Sequence, residues 1–189
     1  MKHYLTRAQM RELAETNDMK SPKWCKLEEL PNKNMIEKKN IIICDIDATI
    51  SRVGDRLKYL KQTPTDWDAF YSACFDDEPI KEICELVDNL RIAGYEIIFC
   101  TGRRASVYEQ TEEWIYKHVY NSRFVQCRLL MRPNNDFRHD VEVKPELLQR
   151  HLADEERARI AFILEDRDCM VAKWRELGYR CLQVDKGEF

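Results

Sequence analysis

No stretch of this 189-residue chain is long and apolar enough for a membrane span, and its first twenty residues lack the hydrophobic core of a secretory signal. A cytoplasmic protein with no membrane partner is the expectation. Glycine is scarce, at five (positions 54, 94, 102, 178 and 187), and from those positions neither G-x-x-x-x-G-K nor G-x-G-x-x-G can be built. The four histidines lack metal-ligand spacing, so zinc is not expected. The eight cysteines form no C-x-x-C pair; Cys44, Cys100, Cys127 and Cys181 lie in apolar runs, where buried, reduced thiols are expected. A thiol phosphatase loop, C-x5-R, fails too, because Ser106 stands where Cys100 would need its arginine. A net charge of −3 gives no global attraction for nucleic acid, which leaves phosphate recognition to local groups of arginine and lysine.

What is present divides the chain into an N-terminal extension, residues 1–40, and one domain, residues 41–189. The extension carries a short helix capped by Thr6, with Met10 and Leu13 as its apolar contacts, followed by a lysine-rich linker. With nine basic and six acidic residues it is a solvated lead-in, or else a weak handle for a nucleic acid or protein partner. From Ile41 onward, short apolar runs alternate with helical periods, which is the pattern of a parallel sheet covered by helices. Strands are expected at 41–45, 95–100, 125–131, 160–164 and 180–184. Helices are expected from Pro79 to Gly94, over 105–120, from Pro145, and over 168–177 with Val171 and Trp174 inward. The right-handed crossover rule makes this an α/β fold, a doubly wound three-layer sandwich on a five-stranded sheet with the 41–45 strand inside. Between Ile50 and Glu78 a minimal insert spaces Trp67, Phe70, Tyr71 and Cys74 as one helical face, read as packing rather than a base-stacking platform, and leaves no room for a large cap.

Chemistry gathers at the ends of those strands. Alternate residues leaving a strand point the same way, so Asp45 and Asp47 can face one cavity at the carboxyl end of the sheet. Two carboxylates about 4 Å apart repel by roughly 4 kcal/mol at an effective dielectric near 20, so something positive is needed between them. The 160–164 strand ends in a second acidic pair, Glu165 and Asp166. Three or four carboxylates without histidine or cysteine make a hard oxygen site of the kind that suits Mg²⁺. Thr101, Gly102 and Arg103 follow the 95–100 strand, where they would open a helix whose N-terminus favours anions. Lys144 stands just before Pro145 and, taken alone, reads as a solvent-facing lysine.

The order DIDAT, TGR, a lysine before a helix and a final acidic pair resembles the haloacid dehalogenase (HAD) superfamily of phosphotransferases. The stretch is more closely similar to the phosphatase domain of phage-type polynucleotide kinase/phosphatases, through Arg56, through Arg138-His139-Asp140 with Lys144, and through the ending LEDRDCMVAKWRELGYRCLQVDKGEF. The resemblance implies a HAD-like Rossmannoid fold, with Asp45 as nucleophile, Asp47 as general acid and base, and Thr101 and Lys144 holding the transferred phosphoryl group. It also implies Mg²⁺ on Asp45, the Asp47 carbonyl and Asp166 with help from Glu165, and Arg56 and Arg103 on substrate phosphate with Asp140 fixing the arginine or lysine beside it. Two positions depart from the pattern: Ala48 replaces a glycine, which matters if φ is positive there, and Glu165 replaces an aspartate. The kinase half of the phage enzymes is not expected, since 40 residues cannot hold one. The function implied is removal of 3′-phosphate, with 2′,3′-cyclic phosphate as a further substrate, from nucleic acid ends. The alternatives are a phosphatase of free nucleoside monophosphates and a catalytically silent binding module.

Overall fold

In the computed structural model, residues 40–187 are described; the predicted extension lies outside them. Five parallel strands form the sheet in the order β5-β4-β1-β6-β7, where β1 is Ile41–Cys44, β4 is Glu96–Arg104, β5 is Arg128–Arg132, β6 is Ile160–Glu165 and β7 is Cys181–Gln183. Two further strands, β2 (Ser51–Arg52) and β3 (Glu78–Pro79), pair as a small antiparallel ribbon beside it. The helices are α1 (Leu57–Leu60), α2 (Trp67–Ser72), α3 (Lys81–Ile92), α4 (Tyr108–Ile115), α5 (Asp140–His151), α6 (Asp154–Ala158) and α7 (Asp168–Glu176). This is the HAD-like α/β sandwich that the sequence predicts. No helix among the described residues is long and apolar enough to cross a membrane.

The isoleucine-rich run of β1 suits a central strand because β-branched residues pack well on both pleated faces. Its residues alternate between two cores. Ile41 and Ile43 join Val143, Leu147, Met170 and Trp174 from α5 and α7, while Ile42 and Cys44 join Cys84, Val87, Trp114 and Ile115 from α3 and α4. All four β1 side chains are buried, each isoleucine contributing about 1.5–3 kcal/mol relative to exposure. The cysteines among the described residues are unpaired; Cys44, Cys100 and Cys181 are buried as expected, as are Cys74 and Cys84, whereas Cys127 is half-buried and lies just ahead of β5.

Three local expectations are corrected. Pro79 does not open a helix: it pairs with Ser51 in the small ribbon, and α3 begins at Lys81. Thr101, Gly102 and Arg103 do not open a helix either. β4 runs on through Arg104, whose partner is Arg132 on β5, and a 3₁₀ turn over Ala105–Val107 intervenes before α4. Lys144 lies inside α5 rather than ahead of it. The helix starts at Asp140 and carries Pro145 internally, tolerating its missing N–H, and this turns Lys144 into the protein instead of out to solvent.

Candidate active site

The register of β1 against β6 brings the distant acids together. Cys44 lies beside Leu164, so the residues that follow each, Asp45 and Glu165, emerge as neighbours, and the Asp45 N–H donates to the Leu164 carbonyl at 3.0 Å. Carboxylate oxygens of Asp45, Glu165 and Asp166 lie within 4.8 Å of one another, all three residues being buried. The positive group that such a cluster demands is Lys144. From α5 its Nζ donates to Asp45 Oδ1 at 2.7 Å and to Glu165 Oε2 at 2.9 Å. Thr49 donates to Asp166 Oδ1 at 3.1 Å, and at 3.4 Å to Asp45 Oδ2. Asp166 Oδ2 is buried with no hydrogen-bond partner among the described residues.

One ammonium among three carboxylates leaves the cluster short of positive charge, and its acidities reflect that. Burial first, and then the Glu165 charge, push Asp45 well above the usual carboxylate range. The same two causes raise Asp166 to about 7. Burial works against the Lys144 charge, yet Asp45 and Glu165 outweigh it and raise its pKa. A divalent cation fits here: the donors are hard oxygens, one of them is an orphaned buried carboxylate oxygen, and added positive charge would hold the acids ionised.

Asp47 turns to a second cluster. Its Oδ1 accepts from Arg103 Nε at 2.9 Å and Nη2 at 2.6 Å, from Ser51 Oγ at 3.3 Å, and from Arg56 Nη2. Among the described residues its Oδ2 takes no hydrogen bond. Both arginines are buried, and behind them lies Asp77, which accepts from Arg56 Nε at 2.8 Å and from Arg103 Nη2 at 2.9 Å. Burial opposes ionisation of Asp47, but the two guanidiniums overcome it and hold the acid far below its usual range. Asp77, where burial outweighs the arginines, is raised to about 6. The geometry gives the expected grip of Arg56 and Arg103 on substrate phosphate no support: both arginines bond Asp47 and Asp77, and neither lines the cleft, although Arg56 Nη1 is left without a partner among the described residues.

Asp140 does brace basic residues, namely Arg132, and Arg167 through Nη1 at 2.7 Å. Its carboxylate sits directly on Gly102, where a Cβ would come within 2.6 Å of Oδ1, so any side chain there would have to push Asp140 off Arg132 and Arg167. The backbone at Ala48 has φ of 61°, the left-handed region, so the departure from glycine carries strain. A cleft of about 470 Å³ opens over Asp45, Asp47, Thr101 and Lys144, with Arg132 and Arg167 on its wall. The structure thus brings Asp45, Glu165, Asp166 and Lys144 into one cluster and Asp47, Arg56 and Arg103 into the next, and sets Thr101 and Asp140 on the cleft. Sequence reasoning missed Asp77, Arg132 and Arg167. The signal for Asp77 was present in the Asp76-Asp77-Glu78 run, whose middle acid is buried whereas its neighbours are exposed.

Residues 39–189 match the family model described as polynucleotide kinase PNKP phosphatase domain. Among solved structures, the chain is similar to one in "Structure of Pnkp1/Rnl/Hen1 complex", with 28% identity and a TM-score of 0.64 over 85% of this chain and 50% of that one. It is also similar to one in "Structure of the Pnkp1/Rnl/Hen1 RNA repair complex", with 27% identity and a TM-score of 0.65 over 96% and 54%. It thus spans about half the length of each. A haloacid dehalogenase-like family hydrolase from Streptococcus pneumoniae shares the fold, at 14% identity and a TM-score of 0.50 over 79% of this chain and 85% of that one. Because the matched residues take in the whole sheet and both charged clusters, this chain belongs to the polynucleotide kinase PNKP phosphatase domain family.

Proposed function

We propose that this domain is a phosphomonoesterase that removes the 3′-phosphate from nucleic acid ends, working with Mg²⁺ on the buried acids through an aspartyl-phosphate intermediate. The observation that carries the reading is the contact of Lys144 Nζ with Asp45 Oδ1 at 2.7 Å, on the floor of a cleft that also shows Asp47 and Thr101. Family membership supports the phosphatase chemistry, and similarity to chains in RNA repair complexes supports an end of nucleic acid as substrate.

Asp45, Asp166 and Glu165 would hold the cation together with the Asp47 carbonyl, and bound Mg²⁺ would neutralise charge on the phosphoryl oxygens. Asp45 attacks phosphorus, and the bond from phosphorus to the sugar oxygen breaks. Thr101 and Lys144 stabilise the oxygens of the moving phosphoryl group, with the ammonium already fixed on the nucleophile. Asp47 Oδ2, the oxygen its arginines leave open, delivers a proton to the departing sugar oxygen from its protonated form, which Arg56 and Arg103 keep in the minority. In the second half it takes a proton from the water that attacks phosphorus, which releases phosphate and restores Asp45; general acid–base help of this kind is worth roughly 10²- to 10⁴-fold. Arg56 and Arg103 serve by aiming Asp47, and Arg132 and Arg167, braced by Asp140, offer the positive wall for substrate phosphate. The cytoplasmic setting expected from the sequence suits such a substrate, and any kinase activity would come from another chain or segment.

A panel of 3′-phosphate, 5′-phosphate and 2′,3′-cyclic ends on DNA and RNA oligonucleotides, alongside mononucleotides, with Mg²⁺ and with EDTA, tests the proposal. Mg²⁺-dependent release from 3′-phosphate ends in preference to mononucleotides is expected. Equal turnover of mononucleotides and oligonucleotide ends would contradict an end-processing role.

A further inference from the structure

Four planar groups from three separate segments stack along the rim of the cleft. Trp67 and Tyr71 on α2 have ring centroids 6.0 Å apart at an interplanar angle of 26°. The Arg104 guanidinium, from the end of β4, lies 5.2 Å from the Tyr71 centroid and 5.3 Å from that of Phe137 in the loop before α5. Asp68 pins Arg104 from the side at 2.8 Å. Trp67, Tyr71 and Phe137 all line the cleft that holds Asp45 and Lys144. The inner members are anchored, since Phe70 under Trp67 and Tyr71 is buried, whereas Phe137 at the end of the stack is 78% exposed.

Exposure alone does not single out Phe137, because Phe124 is more exposed still. What does is its setting: the ring lies against the Arg104 guanidinium, stays mostly exposed, and borders the cleft that holds Asp45 and Lys144. Arg138, next in the chain, lines the same cleft and is partly exposed. A flat apolar surface on the rim of this cleft is complementary to a flat base, and aromatic side chains bind bases in this way without reading sequence. The floor of the same cleft sets the occupant: a ligand that places a phosphate at Asp45 and Lys144 and a flat group at Phe137 is the end of a nucleic acid rather than an apolar peptide.

We infer that Phe137, backed by Arg104, is the platform on which the nucleobase of the 3′-terminal nucleotide stacks while its phosphate reaches Asp45. This rests on the function proposed above and adds to it a base-binding subsite that is indifferent to base identity. The stripe expected to pack does so, with Phe70 and Cys74 buried and Trp67 resting on Phe70 and Tyr71, and its half-exposed Trp67 also reaches the rim.

The test is steady-state kinetics on single-stranded oligonucleotides ending in a 3′-phosphate, with the terminal base present or replaced by an abasic sugar. The unaltered protein is expected to favour the base-bearing end in kcat/KM by about tenfold, the scale of one base–aromatic stack. Phe137→Ala should lose that preference through KM, and Phe137→Trp should restore it. If Phe137→Ala keeps the full preference, or the unaltered protein shows none, the subsite is overturned while phosphate release from both ends leaves the 3′-phosphatase reading intact. No release from either end by the unaltered protein would overturn both.

Discussion

Replacing Lys144 with methionine keeps the stem of the side chain and removes only the charge that joins Asp45 to Glu165. At 2.7 and 2.9 Å, and at an effective dielectric of 20, each contact is worth about 6 kcal/mol of Coulomb attraction. Desolvation of the ammonium, several kcal/mol, offsets part of this. The net cost of breaking such a buried pair is about 3–5 kcal/mol, because the variant leaves three buried carboxylates with no cation among the described side chains. The variant can recover only by protonating those acids. The folded pKa values of Asp45 and Asp166 lie above their unfolded ones, with Asp166 at about 7 even beside Lys144, so the folded form binds protons more tightly. Such groups favour the fold below the ordinary carboxylate range and lose that contribution as pH rises through the raised values. Urea denaturation in EDTA should therefore show the full deficit of Lys144→Met at pH 8 and a much smaller one at pH 5. A deficit that does not change with pH, or none at pH 8, would refute the charge argument.

Other consequences can be checked separately. Asp77→Asn leaves two arginines facing one carboxylate; kcat should fall tenfold or more through misaimed Asp47, with KM little changed, and an equal fall in kcat for Asp77→Ala and Asp77→Glu would argue against aiming. Ala48→Gly relieves a residue at φ of 61° and should raise stability by about 0.5–1 kcal/mol, read as a higher Tm; a lower Tm would mean that the strain is not there. The Mg²⁺ requirement should depend on pH. The cation needs Asp166, at about 7, to lose its proton, so the Mg²⁺ concentration that gives half-maximal activity rises as pH falls through that value. A half-maximal Mg²⁺ concentration that does not change with pH would contradict the cation site.

The legible part of the site was whatever follows from periodicity along one strand. The run Ile41–Cys44 and the spacing of Asp45 and Asp47 fix a buried strand and one cavity, and the apolar run before Glu165 fixes a second strand ending the same way. Side-chain direction beyond the strands was less legible. Pro145 suggests a helix start, yet α5 begins at Asp140, five residues earlier, and that shift takes Lys144 from the surface to the centre of the acids. Arg56 and Arg103 read as phosphate ligands because an arginine near a phosphatase motif has that chemistry. They bond Asp47 and also Asp77, which comes from the far end of the insert and is brought underneath by the pairing of Ser51 with Pro79. Long-range contacts of that kind leave no spacing for a single sequence to display.

The most direct measurement of the central claim is mass analysis of peptides from protein quenched in acid during turnover of a 3′-phosphorylated oligonucleotide with Mg²⁺. A phosphoryl adduct on Asp45, absent when Mg²⁺ is withheld and absent in Asp45→Asn, is the predicted result. Turnover that continues in Asp45→Asn, or an adduct on any other residue, would contradict it.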